Sequence, residues 1–507
     1  MAAIGNSSTY LFYVPKKPNL PAGIKKTDMT RQLLLISLFC LPAFAFAQSW
    51  DELKLTASDG TTEDNYGNAV AIDGDWFVVG ANLKDGDTDD TGAAYVYEYG
   101  GTAWSETRLL PSDTAAGSEF GDAVAIEGNR VVVGAPNDQL TGSVYLFEYD
   151  GSDWIETKLT ASDGATSDIF GTAVAIAGDR IFVGAEQDDD NGSNSGSVYV
   201  YDWNGTDWVE TKLTASDGEA GDRFGGALAA DADRFVVSAR LSDDDGSNSG
   251  SVYVYDWDGT QWLETKLTAS DAEAQELFGN SVGLSGERIV VGKHLDNENG
   301  SQAGAAYIYE YDGENWEETK LTASDGAIGN YFGHAVAVEG ERILVGAHFA
   351  SIGANEDQGA AYLYERDGLN WKEIKISATD GAEEDRFGWS VALSTERIVV
   401  GAHEDDDAGL NAGSVYVLEN IVTSVSEPLS ESIRLYPNPS TTSTRIEWRG
   451  QTSGFTYSLS DALGRTLLNG KAHQNDVELD VSTLAAGLYF VELQSATQRH
   501  TLRLVRQ

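Results

Sequence analysis

A unit of about 54 residues recurs seven times in phase, and that period limits the fold more than any single motif does. The third copy shows its parts. An apolar run, Ala173 to Ile176, meets a tight turn at Gly178 and Asp179. A second run, Arg180 to Ala185, leads into an acidic loop from Glu186 to Ser195. A third run, Gly196 to Trp203, turns at Asn204 and Gly205 into a fourth, Trp208 to Asp217. Gly-Asp and Asn-Gly pairs between apolar runs are hairpin signals, so each unit reads as four short strands.

The phase then fixes the architecture. The glycine of a Phe-Gly or Tyr-Gly pair stands at Gly67, Gly121, Gly171, Gly225, Gly279, Gly333 and Gly388. A Val-Gly-Ala step stands at Gly80, Gly134, Gly184, Gly292, Gly346 and Gly401, with Ser238 in the fourth unit. The Trp-x-Glu strand begins at Trp50, Trp104, Trp154, Trp208, Trp262, Trp316 and Trp371. Its first copy precedes the first Tyr-Gly pair, and the last unit has none of its own. The strand Trp50 to Ser58 can therefore supply the outer strand of the last unit and close a ring. An open solenoid has no use for that offset. The expectation is an all-β chain, a seven-bladed β-propeller of four-stranded blades closed by the N-terminal strand, over residues 48–420. Runs such as Ile181 to Val183 are apolar at both parities, as strands covered on both faces should be.

The ends follow different rules. Residues 1–28 read as a leader or a start-site error. Met29 to Ala47 has a short basic start, an apolar core and a small-x-small end, so it reads as a secretory signal peptide cleaved between Ala47 and Gln48, and no membrane span is expected. The only cysteine, Cys40, lies within it, so the mature chain carries no disulfide. Residues 421–432 form a polar linker. From residue 433 to 507, short alternating strands replace the repeat and read as a small Ig-like β-sandwich.

Charge divides the chain. Residues 48–432 carry 20 Lys and Arg against 74 Asp and Glu, whereas residues 433–507 carry 8 against 6. A polyanion of that size excludes nucleic acid as a partner.

The seven units resemble FG-GAP repeats, the type found in integrin α-chain propellers and in many bacterial secreted proteins. Phe170-Gly171, Val183-Gly184-Ala185 and their copies carry the likeness. In integrin-like repeats an Asp-rich loop between the Phe-Gly strand and the Gly-Ala-Pro strand holds calcium. Here that link is Asp73 to Asp75 or its equivalents, too short to wrap an ion. The C-terminal 75 residues resemble the sorting domain of the type IX secretion system. Tyr436, Pro437, Asn438, Pro439, then Asp461, Gly464 and Arg465, then Gly487 and Tyr489 match its pattern. That likeness implies the type IX machinery as partner, export through a Gram-negative outer membrane, and release or attachment at the cell surface.

Strand direction puts the loops before Phe-Gly and the acidic loops on one face, and loops long enough to differ are where binding is usually built. The other face has only tight turns. The acidic loops offer Asp85, Asp87, Asp89, Asp188, Asp190, Asp243, Asp245, Asp296, Asp405 and Asp407, and calcium is the cation such oxygens could hold. The first three have the 1-3-5 spacing of calcium loops, but position twelve is Val96, not Glu. A charge run is more often a solvated loop. His294, His348 and His403 occupy equivalent positions in successive units. Zinc needs its ligands about 2 Å away, and equivalent positions on adjacent blades are a seventh of a turn apart, too far unless they sit at the axis. Departures from the repeat mark the candidate ligand residues: Arg240 beside Ser238, Lys293, His294, His348, Trp389 and His403, together with the longer loop from Phe349. Drift between duplicated units explains them equally well.

No nucleophile elbow, zinc-protease helix or phosphate loop is present. The expectation is a monomeric secreted or surface binding and adhesion propeller, not an enzyme, that engages protein or glycan through its acidic-loop face. Two rivals stay open: a propeller hydrolase or lyase using carboxylates of that face, and a structural matrix component.

Overall fold

The computed structural model describes residues 49–421 apart from 86–89, 114, 232 and 369, and residues 433–506 apart from 437–441, 449–454, 462–464, 473–475, 486 and 495–498. The signal segment, the cleavage pair Ala47 and Gln48, and residues 422–432 lie outside the described residues.

Residues 49–421 form seven antiparallel sheets of four strands, six of them from consecutive strands. The seventh runs Ser390–Leu393, Arg397–Ala402, Ser414–Ile421 and then Ser49–Leu55 from the other end of the chain. Lys54 lies opposite Tyr416 and Glu52 opposite Leu418, so the ring closes as the repeat offset requires.

The cores lie between blades. Val132 and Leu146 of blade 2 share one cluster with Ile181, Val183 and Tyr199 of blade 3. Ile181, Phe182 and Val183 are all fully buried because the second strand is covered on both sides. Each such side chain contributes roughly 1.5–3 kcal/mol by leaving water. The glycines of the two signatures meet across blades. A Cβ on Gly184 would stand 2.0 Å from the carbonyl oxygen of Gly225, which itself has φ of +100°. Both positions therefore need a bare backbone.

The other consensus residues form a latch. Asp163, in the loop leaving blade 2, accepts hydrogen bonds from the Tyr199 hydroxyl at 2.8 Å and Lys212 Nζ at 2.9 Å, both in blade 3. Ser162 donates from N and Oγ to Glu210 at 3.0 and 2.6 Å. Ala-Ser-Asp and Trp-x-Glu-Thr-Lys are thus two halves of one contact. At the closure Thr379 donates to Glu52, and Asp380 accepts from Tyr416 at 2.9 Å and Lys54 at 3.2 Å. On the opposite face, the arginine that opens the second strand covers an aromatic of the next blade. Arg180 lies 5.1 Å from the Trp262 ring centre and Arg397 lies 5.2 Å from that of Trp104.

Residues 433–506 form two antiparallel sheets. One contains Ile433–Tyr436, Ser443–Trp448 and Asp476–Asp480. The other contains Thr466–Ala472, Phe455–Asp461, Gly487–Gln494 and Arg499–Arg506. Ile446 from the first sheet packs with Phe455, Leu459, Val491 and Leu504 from the second, which makes the expected sandwich.

Candidate functional site: the axial rim of the acidic-loop face

The acidic loops are built around lysines. Three residues after the end of the second strand stand Asp138, Asp188, Asp296 and Asp405, all buried. Each meets the lysine of an outer strand: Lys158 at 2.7 Å, and Lys212, Lys320 and Lys54 at 2.8 Å. Asp190 and Asp407 reach Lys212 and Lys54 at 2.6 and 2.5 Å. Blade 4 has Ser242 at the buried position, and Asp244 supplies the contact to Lys266 instead. Blade 1 inverts the order, with Lys84 buried against Asp64 at 2.9 Å. Of the remaining calcium candidates, Asp243 caps its own loop by accepting the Asn248 N–H at 2.6 Å. Asp245 is exposed. Asp85 is exposed and accepts the Asp90 N–H at 3.1 Å. Asp87 and Asp89 lie outside the described residues. Among the described residues, no group of three or more His, Cys, Asp or Glu side chains is placed to hold a metal ion.

Two populations of carboxyl result. Against the burial that would raise them, hydrogen bonds from lysine and tyrosine hold Asp163, Asp217, Asp325 and Asp380 below the carboxylate range, and Asp271 at about 2. Burial first, then Asp405 nearby, pushes Asp385 up to about 6. Burial and Glu119 push Asp122 up to about 6. A carboxyl lowered by folding stabilises above its unfolded value of about 3.9 and loses that contribution as pH falls. A raised one stabilises only while protonated, so its contribution fades as pH climbs from about 4 to 6. His294, His334, His348 and His403, whose folded values burial lowers well below the ordinary 6.5, take up protons only on unfolding and outweigh the two raised carboxyls, so the urea midpoint is expected to rise from pH 5 to about pH 7 and to fall towards pH 3. A midpoint that falls between pH 5 and pH 7 would contradict this assignment.

The axial rim departs from the repeat. The residue after each Phe-Gly or Tyr-Gly pair opens the innermost strand: Asn68, Asp122, Thr172, Gly226, Asn280, His334 and Trp389. Behind them stand Asn82, Pro136, Glu186, Arg240, His294, His348 and His403. In blades 5 to 7 the two rows interlock. Ring centres are 4.2 Å apart for His334 and His348, 4.6 Å for His334 and Trp389, and 4.0 Å for Trp389 and His403. His294 lies 5.7 Å from both His334 and Tyr331, and Tyr331 lies 5.0 Å from Phe349. His294, His348 and His403 stand on successive blades, as their equivalence in the repeat requires. His334 and Trp389, one row nearer the axis, fill the space between them. Four of the six histidines in the chain converge here.

The rim imidazoles are neutral. Burial lowers His294 and His403 to about 3 and His334 to about 4, and lowers His348 further. The Nδ1 atoms of all four are buried and have no hydrogen-bond partner within the protein. The arginines at the rim are committed. Arg240 grips Glu186 at 2.5 and 2.9 Å, and Arg386 pairs with Asp357 and Glu404. A polar arc faces the aromatic one around the ring: Trp389 Nε1 donates to Asn68 at 3.2 Å, and Asn82 donates to Asp122 at 3.0 Å.

Lys293 has to be withdrawn as a ligand residue. It is fully buried and pairs with Glu276 at 2.5 Å and Asp296 at 3.0 Å, the fifth unit carrying a glutamate where the other six have aspartate, asparagine or serine. Ser238 is likewise buried inside the wall. Sequence reasoning missed His334, Tyr331 and Asp122. Aligning the residues on either side of the Phe-Gly pair across all units would have exposed them. The face of tight turns also holds a cavity of about 370 Å³, lined by Asp73, Asp75, Glu339, Ser394, Thr395 and Glu396, where the seventh unit replaces the usual turn glycine.

In the sorting segment, Tyr436 ends one strand and Asp461 another, Arg465 is exposed, Gly487 opens a strand, and buried Tyr489 donates to the Ala485 carbonyl at 2.8 Å. Pro437, Asn438, Pro439 and Gly464 lie outside the described residues.

The FG-GAP repeat model matches residues 50–97, 104–147, 154–201, 208–255, 262–309, 316–364 and 371–418. The chain belongs to the FG-GAP repeat family. The secretion system C-terminal sorting domain matches residues 434–507, so this FG-GAP protein is secreted or held at the outer cell surface. No helix among the described residues is long and apolar enough to cross a membrane. No curated protein matches this FG-GAP chain. Among solved structures it is similar to PorZ, an essential surface component of the type IX secretion system of Porphyromonas gingivalis, at 13% identity and a TM-score of 0.35, covering 86% of this chain. The match spans 64% of the length of PorZ. It is also similar to an acylaminoacyl peptidase of Pyrococcus horikoshii, at 11% identity and a TM-score of 0.43, covering 77% of this chain and 60% of that one. A third is the β-propeller domain of the Trilobed protease of Pyrococcus furiosus, at 12% identity and a TM-score of 0.39, covering 66% and 90%.

Proposed function

We propose that this FG-GAP propeller is an extracellular binding module, exported by the type IX route, that takes protein or glycan at the axial rim of its acidic-loop face. One observation carries the reading. The consensus residues are used up in latches between blades, whereas blades 5 to 7 put His334, Trp389 and three further imidazoles at the rim with nitrogens that no protein group satisfies. Buried polar atoms without partners cost stability, and retained ones point to an occupant. Calcium has no part in the reading at Asp188, Asp296 and Asp405, where lysine ammoniums supply the positive charge. A melt at fixed ionic strength should give the same midpoint with calcium and with chelator. A rise that magnesium fails to reproduce would overturn that part.

The test is an array of extracellular proteins and glycans, probed with the mature chain and with its Trp389→Ala variant. Binding that the variant loses supports the rim as the working site. Binding by both chains alike would contradict it.

A further inference from the structure

The rim is small, neutral on one side and walled by acids, and these three properties narrow the occupant. A protein partner of standard size covers about 800 Å² with 20–30 residues a side. The aromatic arc consists of seven side chains, Tyr331 and Phe349 included, around one ring mouth. A phosphate, sulfate or carboxylate would look for a free cation. Arg240 and Arg386 are paired with Glu186, Asp357 and Glu404, and the imidazoles are uncharged. The surrounding propeller is a polyanion that repels such groups at long range. What the arc does offer is ring faces for C–H surfaces and four Nδ1 atoms that can take up hydrogen bonds. Across the mouth, Asp122, Asn68 and Thr172 bring oxygens to the polar arc. A sugar ring has that double character: apolar C–H faces and a rim of hydroxyls, each able to donate or accept.

We propose that the rim of blades 5 to 7 is a lectin-like seat for an uncharged saccharide. One sugar face stacks on Trp389, with His334 tilted 45° beside it, and its hydroxyls pair with the unpartnered imidazole nitrogens as the rings turn to meet them. The proposal rests on the rim being the working site and narrows its ligand to neutral glycans. Glu186 bridging Arg240 and Arg223 at 2.5–2.9 Å forms a rigid wall beside the seat. Gly226 leaves the room for that wall, since a Cβ there would stand 2.6 Å from Arg240 Nη1 and 2.7 Å from Glu186 Oε2.

The experiment prints neutral glycans beside sialylated, sulfated and uronate glycans and probes them with the mature chain. Tryptophan fluorescence is then titrated with the strongest neutral glycan on the array. Neutral glycans should bind. Trp389→Ala should weaken them by about tenfold or more, and His334→Phe, which keeps the ring but removes its nitrogens, should weaken them in a chain whose melting midpoint is unchanged. Binding confined to acidic glycans, no glycan binding, or neutral binding indifferent to both variants would each overturn the proposal. Rim-dependent binding of a protein without any glycan would overturn it too, while leaving the rim as the working site.

Discussion

Lys54→Met is expected to destabilise the propeller by about 3 kcal/mol or more, although the residue stands on the strand most distant in sequence from the rest of its blade. Lys54 closes the ring. Its ammonium contacts Asp405, Asp407 and Asp380 at 2.8, 2.5 and 3.2 Å, and the Asp405 side chain is 1% exposed. Against the burial that would lower it, those bonds hold the lysine above its ordinary range. Removing the cation leaves Asp405 buried beside Asp385, itself a buried acid. The Tyr416 hydroxyl and the Asp407 N–H still reach Asp405 at 3.0 Å, but neither carries charge. The same change in blade 6 supplies the control. Lys375 meets only Asp325, half exposed at 51%, because Asn330 and Ala350 stand where blade 7 has Asp385 and Asp405. Lys375→Met should cost about 1 kcal/mol or less. Urea unfolding of both variants checks the pair, and equal costs would refute the closure argument.

The second large effect has the opposite sign. Joint replacement His334→Phe and His348→Phe is expected to leave stability unchanged or to raise it by up to about 2 kcal/mol, while ligand binding falls about tenfold or more. The two rings already pack at 4.2 Å with their planes tilted by 56°, so phenyl groups keep the contact. The change removes two buried nitrogens that have no protein partner. Groups kept at a cost to stability are the usual mark of a binding site. A fall of several kcal/mol would instead make the imidazoles part of the core.

How much of this could be read beforehand depends on range along the chain. The ring, its seven blades and the closing strand followed from period and phase alone, since the offset of Trp50 against Gly67 has one economical solution. The latch was visible only as consensus. Asp163 meets Tyr199 and Lys212, which stand 36 and 49 residues away in the next blade, and no local pattern couples them. For that reason the acidic loops read as cation sites, although lysines of the chain stand against Asp188, Asp190, Asp296, Asp405 and Asp407. The rim was half visible. Histidines at equivalent positions were noticed, but the blade angle alone kept them apart. His334 and Trp389 bridge them from the inner row. Lys293 showed the reverse error, an exception made by compensation within the wall with Glu276.

Consensus residues hold the ring together, and the exceptional residues at the rim are the ones we propose for the ligand. The most direct test measures urea stability and array binding on two variants side by side: Lys54→Met and the His334→Phe, His348→Phe pair. The first should lose stability and keep its ligand below its unfolding midpoint. The second should keep its stability and lose the ligand. If both properties fell together in both variants, ring and site would be one structure, and the division would be wrong.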